Sequence, residues 1–363
     1  MLTRDGVDGI MSAANSEHAT MTWVDLRSDT ITRPTDAMRA AALNARVGDG
    51  VFGDDPTVNA LQARLAGELG FEAGLFVSSG TQSNLLALMA HCERGDEYLV
   101  GSEAHTYKYE GGGAAVLGSI QPQPIPQSAD GTLPLDLIAR AIKPLGDSHF
   151  ARTRLLALEN TWGGRVLPRA YVADAAALAR QHGLGFHLDG ARLFNAAIAE
   201  GIPAAEIAKP FDSVSICFSK GLGAPIGSML LGSDTFIDRA RRWRKVLGGG
   251  WRQAGLLAAM ADYALDHHVQ RLADDHRRAR ELAEALRRIP SLQVDGPHTS
   301  MVFVSVPADR VPALDAFMQS REIRLAIRGP LVRLVLHLDV DDAGLARSIA
   351  AFQEFFSSPA QAA

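Results

Sequence analysis

Three stretches of the chain carry side chains whose types and order could do chemistry together. Lys220 follows the strongly apolar run Ser215–Phe218 and sits among the small residues Ser219, Gly221 and Gly223. Desolvation in such a setting lowers a lysine's pKa and makes its amine nucleophilic, and small neighbours leave room for a ring; the alternative is an exposed turn lysine. Asp189 closes the run Phe186–Asp189, where it either caps the helix that follows or offers a carboxylate to a ring N–H⁺ in a crevice. Arg192, three residues on, is a salt-bridge partner of Asp189 or a planar, bidentate binder of a carboxylate. Ser79-Gly80-Thr81-Gln82 is a tight glycine turn opening a helix. It is either a plain cap with Thr81 as N-cap, or an anion cradle of free N–H groups at the positive helix end.

Further candidates are single residues. His105 and His149 stand in loops, each an ordinary loop histidine or else a ring-stacking residue or base. Arg333 interrupts the apolar run Val332–Val335, so it calls for an anionic partner, internal or a substrate carboxylate. Arg239, Arg241, Arg242, Arg244 and Lys245 form a basic cluster that reads as a solvated helix face. HExxH, paired CxxC and EF-hand patterns are absent, so no metal is expected; GxGxxG after the first strand, GxxxxGK[ST] and GxSxG are absent too.

Something must hold these residues together, and the apolar patterning supplies it. Strand-length apolar runs at Leu75–Val77, Glu97–Val100, Arg154–Leu158, Gly185–Leu188, Asp212–Phe218 and Gly227–Leu231 alternate with helical patterns such as Gln82–His91 and Ala170–His182. That alternation predicts βαβ units and a mainly parallel sheet. Gly80-Thr81, Glu159-Asn160, Asp189 and Ser219-Lys220 all fall at strand carboxyl ends, where open parallel sheets bind ligands, so they are expected to share one crevice. After Gly248–Gly250 comes a long helical region from Gln253 to about Arg288, then Met301–Val306, a helix over Val311–Ser320, Val332–Leu336 and a helix over Ala343–Phe356. This block predicts a smaller C-terminal α/β domain. The expected division is a disordered extension over 1–22, an arm over 23–45, a large domain over 46–250, a connecting helix and small domain over 251–357, and a tail over 358–363.

Composition narrows the class. With 363 residues there is enough chain for roughly two domains and an ample core. The net charge of −5 argues against a general nucleic-acid binder. Cys92 and Cys217 cannot frame a disulfide scaffold, which favours a reducing, cytoplasmic setting. No run of about 18 apolar residues is present, so no membrane partner is expected. The first residues lack the apolar stretch of a secretory signal, and Met11 and Met21 are alternative starts.

An anion cradle, a carboxylate, a nucleophilic lysine and an arginine in one crevice suit pyridoxal 5′-phosphate, which has a phosphate, a ring nitrogen and an aldehyde. Beyond that, the chain resembles the low-specificity L-threonine aldolases, of the fold-type I pyridoxal-phosphate enzymes. The resemblance rests on Val24-Asp25-Leu26-Arg27-Ser28-Asp29-Thr30, Gly53-Asp54-Asp55-Pro56-Thr57, Ser79-Gly80-Thr81, His187-Leu188-Asp189-Gly190-Ala191-Arg192, Phe218-Ser219-Lys220-Gly221-Leu222, Gly248-Gly249-Gly250-Trp251-Arg252-Gln253 and Val332-Arg333-Leu334. It implies the fold-type I transferase-like architecture, a large domain with a mainly parallel sheet plus a smaller C-terminal domain. It also implies roles: Lys220 holds the cofactor as a Schiff base, Asp189 pairs with the pyridine nitrogen, and Gly80 and Thr81 bind the phosphate, with Arg252 helping from a neighbouring subunit. His105 stacks on the ring. Ser28, Arg192 and Arg333 clamp the substrate carboxylate, and His105 and His149 lie near the β-hydroxyl as candidate bases.

The implied reaction is cleavage of a small amino-acid substrate, L-threonine or L-allo-threonine, to glycine and acetaldehyde, in a homotetramer built as a dimer of dimers with shared sites. The chain departs from the family where tyrosine is usual and Phe52 stands, and where histidine is usual and Trp162 stands. Both bear on the side chain accepted at Cβ and make aromatic β-hydroxy amino acids such as phenylserine candidate substrates. Competing readings are a β-eliminating lyase or hydroxymethyltransferase on the same fold, a non-catalytic relative, and a nicotinamide-dependent dehydrogenase, which lacks its glycine fingerprint here.

Overall fold

The computed structural model describes residues 23–357. The disordered extension expected over 1–22 and the tail over 358–363 lie outside the described residues.

Short buried apolar runs form the strands: β1 (Val24–Asp25), β2 (Ala73–Val77), β3 (Asp96–Gly101), β4 (Gln121–Ile125), β5 (Arg152–Glu159), β6 (Gly185–Asp189), β7 (Ser213–Cys217) and β8 (Ser228–Gly232). Strands β2 to β8 make a seven-stranded sheet in the order β2-β8-β7-β6-β5-β3-β4. Pairings from β7 through β6, β5 and β3 to β4 are parallel, as the alternating pattern predicts. The exception is β8, antiparallel to both β7 and β2. Parallel neighbours need a crossover helix, whereas the chain between β7 and β8 is only a loop, so β8 must run back. That loop carries Lys220. Its exit, Gly227, has φ +114°, and a Cβ there would lie 2.6 Å from the Phe76 ring. β4 carries Pro122 and Pro124, which hide it from a propensity reading; as the edge strand it tolerates the missing donors.

Helices cover the sheet: α1 (Asp36–Leu43), α2 (Pro56–Leu69), α3 (Gly80–His91), α4 (Arg169–Gln181), α5 (Leu193–Glu200) and α6 (Asp234–Val246). The long helical region is two helices, α7 (Gly255–His267) and α8 (Leu272–Arg287). Each half has its own apolar face to bury. Ala258, Ala261 and Ala264 of α7 pack into the core of the large sheet, while Ala279, Leu282, Ala283 and Leu286 of α8 pack into a separate core with Val302, Val304 and Phe352. At the break, His268 Nδ1 donates to the Leu222 carbonyl at 2.6 Å, tying it to the loop that carries Lys220.

The C-terminal part has β9 (Gln293–His298), β10 (Met301–Ser305), β11 (Ile323–Arg324), β12 (Ala326–Arg328) and β13 (Leu331–Val335), with α9 (Val311–Ser320) and α10 (Asp342–Ser357). β12-β13-β10-β9 is a four-stranded, wholly antiparallel sheet. Short β9–β10 and β12–β13 turns enforce this, and the partly exposed β9 and β12 lack the apolar signature by which strands are recognised. β1 pairs in parallel with β11, so the arm is stitched to the C-terminal part and Ser28–Thr30 comes to the crevice mouth.

Candidate active site

The carboxyl ends of β5, β6 and β7 and the start of α3 meet in a crevice, as strand-end placement predicts. It comprises two adjoining cavities, of about 710 and about 340 Å³, that share Thr30, His105 and Lys220. Gly80, Thr81, Asn84, Asp189 and Ser219 line the smaller one; Ser28, Glu159, Trp162, Arg192 and Arg333 line the larger.

Lys220 is half-buried and opens onto both cavities, so it is not a turn lysine in bulk water. Its backbone is pinned: the carbonyl accepts from Thr32 Oγ1 at 3.0 Å and from Gly223 N at 2.8 Å. Among the described residues its Nζ has no hydrogen-bond or ion-pair partner, leaving the amine available. The cradle faces it. Ser79, not Thr81, caps α3, its Oγ accepting from Gln82 N at 3.1 Å. The Gly80 and Thr81 N–H groups therefore have no intramolecular acceptor among the described residues and point outward at the positive helix end. Glycine is required at 80 because a Cβ there would stand 2.7 Å from Cys217 Sγ, the last residue of β7.

Asp189 is buried at the end of β6. Its Oδ1 accepts from Ala191 N at 3.1 Å, a local turn bond rather than a helix cap, since the following helix starts at Leu193 with no side-chain cap, and its Oδ2 accepts from Asn84 Nδ2 at 2.9 Å. Asn84 Nδ2 also donates to Glu110 Oε1 at 2.9 Å, and that same oxygen bonds His105 Nδ1 at 2.8 Å. One atom each of His105, Glu110 and Asp189 thus lie within 4.8 Å of one another. Two carboxylates on Nδ2 fix the Asn84 amide, so its Oδ1 must accept, and His187 Nε2 donates to it at 3.3 Å. His187 Nδ1 then accepts from Ser213 Oγ at 2.8 Å, and His91 Nε2 donates to Ser213 Oγ at 2.7 Å. The chain needs both imidazoles neutral. Burial keeps them so, taking His187 down to about 4 and, with the like charges of His187 and Arg239, His91 to about 3.

The charges around the crevice are arranged unevenly. The hydrogen bond to Glu110 raises the His105 pKa, and burial raises that of Glu110. Glu159 accepts from His105 N at 2.8 Å, yet burial and the like charge of Asp189 push its carboxyl up to about 7. Arg192 does not pair with Asp189. Its guanidinium forks onto Asp29, Nε to Oδ2 at 2.8 Å and Nη2 to Oδ1 at 2.6 Å. Burial alone would raise Asp29, but the charge and hydrogen bonds of Arg192, with Lys220 and His337 nearby, bring it down to about 2. A depressed carboxyl stabilises the fold fully above its unfolded pKa near 4, and that contribution is lost as pH falls through about 2. Asp29→Asn is accordingly expected to cost about 3 kcal/mol at neutral pH, because it leaves Arg192 buried beside a neutral partner. Urea midpoints against pH would show the two proteins converging at the acid end; a gap unchanged by pH would refute the pair's role.

Arg333 lines the larger cavity and donates from Nη2 to the Arg27 carbonyl at 2.9 Å. Burial and the like charge of Arg192 lower its pKa, so an added carboxylate would be welcome there. Ser28 caps the short turn Asp29–Ile31 and faces the same cavity. Two expected residues are elsewhere. Arg252 pairs with Asp49 at 2.8 Å and lines neither cavity. His149 is 87% exposed and bonds only Asp147, at 2.8 Å. It stands just before β5, whose other end carries Glu159, and it lines neither cavity. Of the two departures from the family pattern, Trp162 lines the larger cavity, while Phe52 is 78% exposed and does not.

Asn84, Glu110 and Asp29 were not among the expected residues. Asn84 had a signal: it lies one helical turn after Gly80, on the face that opens the cradle. Asp29 sits inside the arm motif, but nothing local marks its partner. Glu110, before the flexible-backbone run Gly111–Gly113, had none.

The donor set fits pyridoxal 5′-phosphate: two free helix-start N–H groups, a buried carboxylate held by donors, an unpaired amine between them, and the His105 ring alongside. Comparison with known proteins agrees. Residues 25–309 match the family described as Beta-eliminating lyase. The chain is 53% identical over 334 residues to the low specificity L-threonine aldolase of Escherichia coli strain K12, covering 92% of this chain and 99% of that protein. It is 43% identical to a probable low-specificity L-threonine aldolase 2 of Arabidopsis thaliana, covering 93% and 99%. Among solved structures, a Leishmania major threonine aldolase superposes with a TM-score of 0.78 at 22% identity, covering 92% and 99%. A putative L-allo-threonine aldolase of Listeria monocytogenes gives 0.77 at 20%, covering 96% and 100%. At those identities the structures speak to the fold.

Proposed function

Since the chain belongs to the beta-eliminating lyase family and, within it, to the low-specificity L-threonine aldolases, we propose how its own residues divide the work of that reaction. The protein is a pyridoxal-phosphate-dependent aldehyde-lyase that cleaves L-threonine, L-allo-threonine and related L-β-hydroxy-α-amino acids to glycine and an aldehyde. When bound, the cofactor supplies an aldehyde for the substrate amine and a ring that accepts the electron pair of the breaking Cα–Cβ bond.

In this assignment Lys220, whose amine opens onto both cavities without another partner among the described residues, would hold the cofactor covalently. The Gly80 and Thr81 N–H groups take the phosphate. Asp189, its buried carboxylate held between donors, would pair with the ring nitrogen and hold its proton. His105 covers the ring; with Nδ1 engaged by Glu110, its Nε2 is the atom left to take the β-hydroxyl proton, and Glu110 steadies the imidazolium so formed. Ser28, Arg192 and Arg333, which line the larger cavity, would fix the substrate carboxylate and with it the orientation of the bond to be cleaved. The observation that carries the assignment is the convergence of Lys220 and Asp189, from different strands, on one cavity with His105 beside them.

Arg252 and His149 line neither cavity of their own chain, so in this reading they serve a neighbouring subunit's site, in a homotetramer arranged as a dimer of dimers. Cytoplasmic threonine breakdown and glycine formation complete the proposal. Among the described residues no helix is long and apolar enough to cross a membrane.

The decisive experiment is a product assay on cofactor-loaded protein with both Cβ epimers of threonine and with phenylserine. Glycine and the matching aldehyde should appear in equal amounts from each. Ammonia with an oxo acid, or a requirement for folate, would instead favour β-elimination or hydroxymethyl transfer. Arg333→Ala should raise KM about tenfold or more, with a smaller change in kcat, the loss of one charge-assisted bond that acts on bound substrate throughout. An unchanged KM would remove Arg333 from the clamp.

A further inference from the structure

A cavity of about 450 Å³ lies at the opposite end of α3 from the cradle, between that helix end, the start of β5 and α6. Arg94, Arg154, Arg239 and Arg242 line it. None of the four guanidinium groups has a hydrogen-bond or ion-pair partner among the described residues. The single carboxylate in the lining, Glu93, is already engaged by Arg152 at 3.1 Å. The cleavage reaction uses none of these groups.

A solvated helix face, the ordinary reading of the basic cluster on α6, accounts for only part of this. Arg241 pairs loosely with Asp238 at 3.8 Å, and Arg244 turns inward to the Phe76 carbonyl at 2.9 Å. Arg239 and Arg242, three residues apart, share the face that looks into the cavity. There they meet arginines brought by two other segments, the turn before β3 and the start of β5. Four unpaired cations from three segments, in a chain of net charge −5, concentrate positive potential in one concavity. Part of the rest of the wall is apolar, including Met89, Leu117 and the Trp243 ring. The volume is that of a small-molecule site, and guanidinium forks match phosphate oxygens.

We propose that this cavity binds a small polyanion of the phosphate-ester class, its phosphates taken by Arg94, Arg154, Arg239 and Arg242 and its aromatic or apolar body laid against Trp243 and Leu117. His91, which also lines the cavity, is the far end of the hydrogen-bonded chain through Ser213, His187 and Asn84 to Asp189. An occupant would thus sit against the network that supports the cofactor site.

The test is calorimetric titration of the cofactor-loaded enzyme, whose own phosphate cradle is then filled, with adenosine triphosphate, tripolyphosphate and adenosine at low and physiological salt. Both polyanions should bind in the sub-millimolar range, the nucleotide more tightly, with affinity falling as salt rises, and adenosine should not bind. Arg239→Gln/Arg242→Gln, at exposed positions, should weaken both at least about tenfold while threonine cleavage without polyanion stays unchanged. Arg94→Gln, on a different segment, should weaken them too, which guards against a local defect in α6. Absence of binding to the native enzyme, or equal binding by the variants, would overturn the proposal. So would a change of oligomeric state in the double variant without any polyanion affinity, since the face would then be a contact between chains. Tripolyphosphate bound as tightly as the nucleotide would overturn the part assigned to Trp243 and Leu117.

Discussion

Lys220→Ala is expected to give a colourless protein with no measurable threonine cleavage. The amine is the covalent anchor in the assignment above, and no other described residue that lines both cavities carries one. Without it the cofactor's phosphate and ring contacts remain, so some cofactor should still bind, more weakly and reversibly, and wash out on dialysis. The fold should be little affected. Lys220 Nζ has no partner to lose, its loop is held by backbone bonds to Thr32 and Gly223, and exposed or half-exposed truncations of this kind cost within about 0.5 kcal/mol. Absorbance before and after dialysis, thermal melting of the cofactor-free forms, and glycine release together make the test. A visible band that survives dialysis in Lys220→Ala would refute the anchor, whatever the activity.

Asp189→Asn should fold, bind cofactor and turn over about 10²- to 10³-fold more slowly. Removing the charge opposite the ring nitrogen removes the reason for that nitrogen to stay protonated, and with it most of the ring's capacity to accept electrons. The loss should fall on kcat, because substrate carboxylate and amine contacts are untouched. A second consequence follows from the network. The asparagine can keep an oxygen toward Ala191 N only by turning its NH₂ toward Asn84 Nδ2, donor against donor, in place of the 2.9 Å bond seen with Asp189. The Asn84 amide then loses one of its two carboxylate partners, and Glu159 loses the like charge that helps raise its carboxyl toward 7. His105, the base in the assignment above, loses the same raising charge, so the variant's pH profile should shift to lower pH on its acid side. Equal kcat in the two proteins would remove Asp189 from the ring nitrogen.

The alternation of apolar runs and helical patterns was sufficient for the class of fold, because strand and helix periodicity are properties of neighbouring residues. The same local logic placed Gly80-Thr81, Asp189 and Ser219-Lys220 at strand ends, and the parallel sheet then brings all of them to one side. It failed where the signal was weak or the constraint was not local. β4, with two prolines, and the half-exposed β9 and β12 carry no apolar run, and the direction of β8 follows from loop length rather than from its residues. The helical stretch from Gln253 divides because its halves serve two cores.

Thus the residues themselves determined the chemistry: an amine after an apolar strand, a carboxylate closing the preceding one, and a glycine turn at a helix start. Only the tertiary structure decided which partners tune them. Arg192 had Asp189 three residues away and chose Asp29, far along the chain, because the β1–β11 pairing delivers the arm to the crevice and burial demands a bidentate anion there. His149 and Arg252 were left at the surface of their own chain, since a side chain reaches only what the fold sets within a few ångströms of it.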